Sequence, residues 1–389
     1  MIGIILCLLI WSGDCSKLSY ENYKVYNVTP KSEEEVNILR KLEEVGSYTF
    51  WNKVAGINAS VNILVSSFDQ NEFESLLKNF DYHILIENVQ DLINKSEFRP
   101  RSVEFNWLNY HTLDEINNWL IYLSQTYPKV KLVKGGVSYE NRTILGVKIT
   151  FKSCNQDIVI EGGSHAREWI GPATVTYILN QVITNNDPKI RSILTRWNWY
   201  FFPVFNPDGY HHTWTTDRLW RKTRTPYDGC FGADLNRNWG YHWMDGGSSN
   251  IPCNDLYAGP TPFSESESKS LSTFINGISN KIQGYITFHS YLQLILIPFG
   301  HAGLEVPSNN AELMRIANIT VQAISKRYGT QYIYGNIPQA IYVASGSSLD
   351  WILGTHRHIR YAFAFELRDK GQYGFCYSRA NYSNCGRSI

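Results

Sequence analysis

"GGSHAREWIG", residues 162–171, follows the apolar run Ile158-Val159-Ile160. A short apolar run closed by two glycines reads as a strand buried in a sheet. Where that strand stops, the chain places His165, Arg167 and Glu168. Such side chains are costly to bury unless paired or bound, and in open α/β sheets ligands collect beyond the carboxyl ends of strands. His165 and Glu168 thus offer two metal ligands, and a zinc site needs a third protein ligand from elsewhere. The competing reading is an exposed pair, three residues apart on a helix.

Outward from this point, apolar strands and amphipathic helices alternate. Residues 158–162, 199–204, 283–289 and 360–367 read as strands, and 173–184, 265–278 and 309–328 as helices. Ser264 and Glu267 are expected to cap the second helix, and Gly329 to stop the third. Thr112 and Glu115 form a capping box ahead of a helix ending near Tyr127-Pro128. The pattern predicts an α/β sheet with helices on both faces. Residues 20–95 read as a separate compact α+β unit. There "YKVYNVTP", "SVNILVSSF" and "YHILIENV" look like strands, and "NEFESLLKNF" sets Phe73, Leu76, Leu77 and Phe80 at helical spacing. The polar stretch 96–105, holding Arg99, Pro100 and Arg101, is the expected linker.

With 389 residues, 43% of them apolar, the chain can bury a sizeable core and is not disordered. A net charge of +1 gives no pull toward nucleic acid or an anionic membrane. The apolar start "IGIILCLLIW", residues 2–11, followed by Ser12, Gly13 and Ser16, resembles a secretory signal peptide. The alternative is a buried strand. No other run approaches the roughly 18 apolar residues of a membrane helix. Glycosylation sequons lie at Asn27, Asn58, Asn94, Asn141 and Asn318. Of seven cysteines, Cys230 and Cys253 flank a Gly/Ser-rich segment suited to a disulfide loop, and Cys154 has no evident mate. No C-x-x-C pair occurs, which argues against cysteine-bound zinc.

Residues of chemical interest recur at the ends of the other strands. "GYITFHSYLQ" delivers His289, and "YAFAFELRD" delivers Glu366. "RLWRKTR" supplies Arg218, Arg221 and Arg224, and "ADLNRNW" supplies Asp234, Asn236 and Arg237. A lone histidine is ordinarily a satisfied core residue and an arginine cluster a solvated face. A glutamate inside Phe-Ala-Phe-Glu-Leu is harder to set aside, because an unpaired buried carboxylate is costly. His211-His212 and His356-x-His358 have metal-like spacing but no acid in a matching strand context.

Eight segments in order, "YHTLDEI", "GGSHAREWIGPA", "NPDGY", "RLWRKTR", "DLNRNW", "FHSYLQLILIPFG", "IYVASGSSLDW" and "FELRDKGQYGF", carry a resemblance. From about residue 20 to 375 the sequence is similar to pancreatic-type procarboxypeptidases of the A/B zinc carboxypeptidase family. The resemblance implies a mixed central sheet with helices on both faces, preceded by a small ferredoxin-like α+β prodomain. It implies that His165, Glu168 and His289 hold one Zn2+ per chain, with Asp234 orienting the first histidine. Glu366 is then the general base and Arg221 faces the developing oxyanion. Asn236, Arg237 and Tyr342 hold the substrate's terminal carboxylate, and Arg167, Arg218, Tyr291 and Phe375 match neighbouring substrate subsites. Leu349 matches the base of the specificity pocket, with Gly300, Ile337, Ile341, Ala344 and Ala364 around it. Basic-specific members carry aspartate at that base, so apolar or aromatic C-terminal residues are expected.

The implied division is a signal peptide at 1–16, an activation prodomain at 17–101 and a catalytic domain at 102–389. Proline after Arg99 resists a trypsin-like protease, so cleavage is expected after Arg101. The protein is then a secreted, monomeric zymogen acting on peptide or protein C-termini, with no nucleic-acid or membrane partner. Two alternatives stand beside this reading: a non-catalytic peptide-binding homologue and a basic-specific B-type enzyme. From Cys376 the tail "CYSRANYSNCGRSI" departs from the resemblance, and the family's final helix is expected to be missing. Codons for Ala380 to Ser388 can be chosen so that a one-base shift gives the family's Gln-Ile-Ile-Pro-Thr-Ala-Glu-Glu, so a frameshift after Phe375 is expected. Cys376, Cys385 and the sequon at Asn381 would then carry no functional meaning.

Overall fold

The computed structural model of the protein describes residues 17–98, 104–151 and 156–376. The leader, the Arg101 cleavage point, Cys154 and the tail after Cys376 lie outside the described residues.

The first unit comprises β1 (Lys24–Thr29), α1 (Glu33–Val45), β2 (Thr49–Phe50), β3 (Val61–Val65), α2 (Gln70–Leu76), β4 (Asp81–Ile86) and α3 (Val89–Glu97). Its antiparallel sheet has the order β2-β3-β1-β4. Ser32 caps α1 by accepting from Glu35 N, and three glutamates in the first turn face the helix's positive end. Val36, Leu39, Phe73 and Leu77 close a small core over Tyr26, Val28 and Ile63.

The second unit opens with α4 (Leu113–Thr126), whose capping box between Thr112 and Glu115 is present in full. Then come the hairpin β5 (Val130–Val137) and β6 (Thr143–Ile149), followed by β7 (Asp157–Gly162), α5 (Ile170–Thr184), α6 (Pro188–Leu194), β8 (Asn198–Phe202) and α7 (Pro207–Thr215). The short pair β9 (Pro226–Tyr227) and β10 (Cys230–Phe231) leads into a long connection. It is tied by the Cys230–Cys253 disulfide, with Cα atoms 5.3 Å apart. The chain ends its described part with α8 (Ser266–Ile278), β11 (Ile282–Ser290), β12 (Leu294–Ile297), α9 (Asn310–Tyr328), β13 (Ile333–Asn336), α10 (Ile337–Ala340), α11 (Ser348–Thr355) and β14 (Tyr361–Leu367).

The eight-stranded sheet runs β13-β12-β14-β11-β7-β8-β6-β5. Its centre is parallel, β14-β11-β7-β8, and antiparallel pairs join it to β12 and β6. Helices cover both faces. On one side of β7, Gly162 lies so close to α5 that an added Cβ would sit 3.0 Å from Val175. On the other side Glu161 accepts from the Tyr285 hydroxyl, which lies under Ser348 at the start of α11.

One expected detail is corrected. Ser264 and Glu267 do not cap α8: the N-cap residue is Glu265 and makes no side-chain cap bond. The buried Asn238 side chain takes that place instead. Its Oδ1 accepts from Glu265 N and from the Ser268 hydroxyl, and its Nδ2 occupies Ser264 Oγ. A distant amide has replaced the local cap.

No helix among the described residues is long and apolar enough to cross a membrane.

Candidate active site

The carboxyl ends of β7, β11 and β14 open into one cleft of about 750 Å³. The turn after β7 supplies His165 and Glu168, the end of β11 supplies His289, and Glu366 on β14 is its register partner. His165 Nδ1 lies 2.8 Å from Glu168 Oε1, and His289 Nδ1 lies 3.1 Å from both Glu168 Oε2 and His165 Nδ1. Four-coordinate zinc with ligands at 2.0–2.2 Å spaces them about 3.3 Å apart. The three groups are thus pre-set for one ion.

The protonation pattern fits a cation as well. His165 Nε2 is 3.0 Å from Asp234 Oδ1, which fixes its hydrogen there and leaves the Nδ1 lone pair facing His289. Two ring nitrogens and both oxygens of one carboxylate then converge, with the Arg221 guanidinium 3.8 Å from Glu168 Oε1. Burial disfavours charge on His289, yet hydrogen bonding to Glu168 and its charge outweigh that and raise the pKa to about 9. Burial also pushes Glu168 up, but His165 and His289 hold it well below the usual carboxylate range. The spot calls for positive charge.

Around it stand the other candidates. Arg221 reaches Asp234 Oδ2 through Nη2 at 2.8 Å and Nε at 3.2 Å, with Nη1 3.8 Å from Glu168. Burial pushes Asp234 up, but Arg221 and His165 keep it strongly ionised. Arg237 is fixed by Nε to Gly247 O and Nη1 to Asn236 O. Asn236 Oδ1 accepts from Ser348 N at 3.2 Å, so its Nδ2 is the donor it can offer. Tyr342, Tyr291, Leu349 and Phe375 line the same cleft. Burial raises Glu366 to about 8, with His289 opposing and Glu168 adding.

Two expected residues sit elsewhere. Arg218 does not line the cleft; it is fully buried, lies 3.6 Å over the Trp169 ring and donates to the carbonyls of Arg167 and Phe375. Its charge braces the two loops that flank the site. Arg167 lines the adjoining cavity, donates to Asp255 at 3.2 Å and covers the Phe375 ring. His211 and His212 meet no acid cluster, and His358 is occupied with Ser279 O.

The first unit closes the cleft, which no motif foretold. Trp51 and Asn52 line it beside Glu366, and Trp51 packs 5.3 Å from Phe375. Asn62 Nδ2 donates to the Tyr291 hydroxyl at 2.9 Å, Tyr20 Oη to Asp217 at 2.7 Å and Asn254 Nδ2 to Glu43 O at 3.2 Å. Tyr20, Val25, Trp51 and Leu64 share a core with Leu219, Tyr291, Phe375 and Cys376.

The sequence pattern of zinc carboxypeptidases matches residues 116–386. The chain belongs to the zinc carboxypeptidase family. Residues 26–96 match the carboxypeptidase activation peptide, so this zinc carboxypeptidase carries the inhibitory unit of a zymogen ahead of its catalytic unit. It is 44% identical over 361 residues to a zinc carboxypeptidase A 1 of Anopheles gambiae, covering 90% of this chain and 83% of that one. It is equally 44% identical over 275 residues to a carboxypeptidase B of Astacus astacus, covering 69% and 90%. Among solved structures, thrombin activatable fibrinolysis inhibitor superposes with a TM-score of 0.87 at 31% identity, covering 95% of this chain and 96% of that one. Equal identity to relatives named A and B leaves specificity to the pocket.

Proposed function

We propose that this zinc carboxypeptidase is secreted as a zymogen and, once cut after Arg101, removes single apolar or aromatic residues from peptide C-termini. In this reading residues 1–16 are the leader, 17–101 the prodomain and 102–389 the catalytic unit. The observation that carries it is the cleft itself, which brings together three candidate metal ligands, the half-buried carboxylate of Glu366 and a pocket of Leu296, Ile337, Ala344, Leu349 and Ala364.

What zinc supplies there is a more acidic water and a polarised scissile carbonyl. Glu366 takes the proton of the attacking water and hands it to the leaving amine. Its raised affinity for a proton favours the second half of that task. Arg221, anchored by Asp234, faces the developing oxyanion; a donor so placed is worth on the order of 100- to 1000-fold in rate. Asn236, Arg237 and Tyr342 hold the terminal carboxylate, the guanidinium through paired hydrogen bonds. This clamp restricts cleavage to the chain end.

Burying a substrate Phe beside Leu349 contributes roughly 1.5–3 kcal/mol, whereas an unpaired Lys there costs more. Asp350, next to Leu349 in the chain, is poorly placed to pair with a basic side chain there. It is fully buried, accepts from Gly300 N at 2.8 Å, and is raised by burial to about 7. That disfavours the basic-specific reading.

The test is trypsin-treated protein against otherwise identical peptides ending in Phe or Arg, with and without a chelator, beside Glu366→Gln. Phe release that stops on chelation and falls at least 1000-fold in Glu366→Gln is expected. Faster Arg release sinks the specificity; full activity in the variant sinks the mechanism.

A further inference from the structure

A second group of metal-ligating side chains lies outside the cleft. His242, Asp245 and His301 bring their ligand atoms within 4.8 Å of one another. Asp245 Oδ2 stands 3.0 Å from His242 Nδ1 and 3.4 Å from His301 Nδ1. The Asp245–His301 separation matches the edge of about 3.3 Å expected for a tetrahedral zinc ion, and the His242 ring stands within reach of the same point. The two imidazoles are stacked, centroids 3.7 Å apart and 5° from parallel.

The hydrogen bonds leave a charge to be filled. Gly303 N donates to His301 Nδ1 at 3.2 Å, so that nitrogen carries a lone pair. That nitrogen and Asp245 Oδ2, both acceptors, stand 3.4 Å apart. His301 is 2% exposed, and its Nε2 faces Glu305 at 3.6 Å. Neutral imidazole is the form that binds metal.

We propose that His242, Asp245 and His301 form a second site for a divalent transition ion of the zinc class, with water completing the shell. Two nitrogens and one carboxylate suit zinc, copper or nickel rather than calcium or magnesium. His242, exposed and on a loop, turns out of the stack to point its Nδ1 at the ion; the exposed Gly303 amide passes to water.

The site links two loops that reach the cleft from behind. From one, Gly247 O receives Arg237 Nε and Gly246 O receives Ser345 N. From the other, Gly300 O receives Ala344 N. Both therefore hold the segment that carries Tyr342, and an ion joining them stiffens the far wall of the substrate pocket.

The experiment is zinc stoichiometry of the full-length zymogen after equilibrium dialysis, for wild type, His242→Ala, Asp245→Asn and Glu168→Ala. Two zinc per chain are expected in the wild type and one in each variant. Cobalt loading distinguishes them: Glu168→Ala retains the signal assigned to His242, and His242→Ala retains that of the cleft. Added zinc should raise the Tm of Glu168→Ala, and lose that effect when His242→Ala is combined with it. One zinc in the wild type, or two in both His242→Ala and Asp245→Asn, overturns the proposal. These readouts do not depend on catalysis, so failure here leaves the reading of the cleft intact.

Discussion

Trp51→Ala should make the uncut zymogen leak. Trp51 is 5% exposed, sits in the mouth of the cleft and stacks edge-on against Phe375 at 5.3 Å. Truncating a buried tryptophan costs about 3–5 kcal/mol in a protein core, and a central aromatic at an interface about 2–4 kcal/mol. Taking about 3 kcal/mol as lost from the closed state alone, the open fraction rises roughly 150-fold. The tether to the catalytic unit stays intact, so the gain appears in a unimolecular opening and does not depend on concentration. The assay is the initial rate on a blocked dipeptide ending in Phe, before and after trypsin. Uncut Trp51→Ala should exceed uncut wild type by on the order of 100-fold, up to the ceiling of the cut enzyme. After cutting, both proteins should match, because Trp51 leaves with the prodomain. A folded variant whose uncut activity stays within about twofold of wild type would falsify the closure by Trp51.

Two further outcomes follow from buried groups. Burial, with Glu265 and Asp208 adding to it, raises Glu267 to about 8 from an ordinary 4.5. The folded state thus binds a proton more tightly than the unfolded one, and that contribution is lost as pH rises from about 4.5 to about 8. Urea unfolding should show the stability of wild type relative to Glu267→Gln falling by on the order of 1–3 kcal/mol between pH 5 and 8; a pH-independent difference would refute it. Gly247 has φ +71°, and a Cβ there would lie 1.8 Å from Val343 O. Gly247→Ala must shift the loop that fixes Arg237, so KM for peptide should rise on the order of 10- to 100-fold, and an unchanged KM would show that Gly247 does not set the clamp.

The parts of the fold legible in the sequence were those with long, one-sided patterns. β7, β11 and β14 are apolar runs broken by a charged residue, and the predicted strands at 158–162, 283–289 and 360–367 lie within a residue of them. β5 escaped because "VKLVKGGV" sets its lysines three apart and carries two glycines, and at the sheet's edge little burial marks it. β12 is only "LILI", too short to tell from a buried helical turn. In the cleft, the residues at strand ends and in motifs were visible because their chemistry is costly to bury. Trp51 and Asn52 were not, since their role arises from packing against residues more than a hundred positions away. Arg218 was visible as an arginine but not as a brace, because nothing in "RLWRKTR" tells which guanidinium turns inward. The Asn238 cap of α8 likewise left no local trace.

His289 and Glu366 are register partners on two parallel strands. The ladder holds such neighbours about 4.8 Å apart, and a slip of one residue would turn either side chain to the opposite face. The separation between candidate ligand and base is therefore a property of the backbone lattice, not of the loops around it. The loops from 217 to 225 and 341 to 347 bring Arg221 and Tyr342 to the same cleft. The sheet thus sets the spacing of His289 and Glu366, and a loop sets the position of Tyr342. A change in the 341–347 loop can therefore alter how a peptide end is held without moving His289 against Glu366.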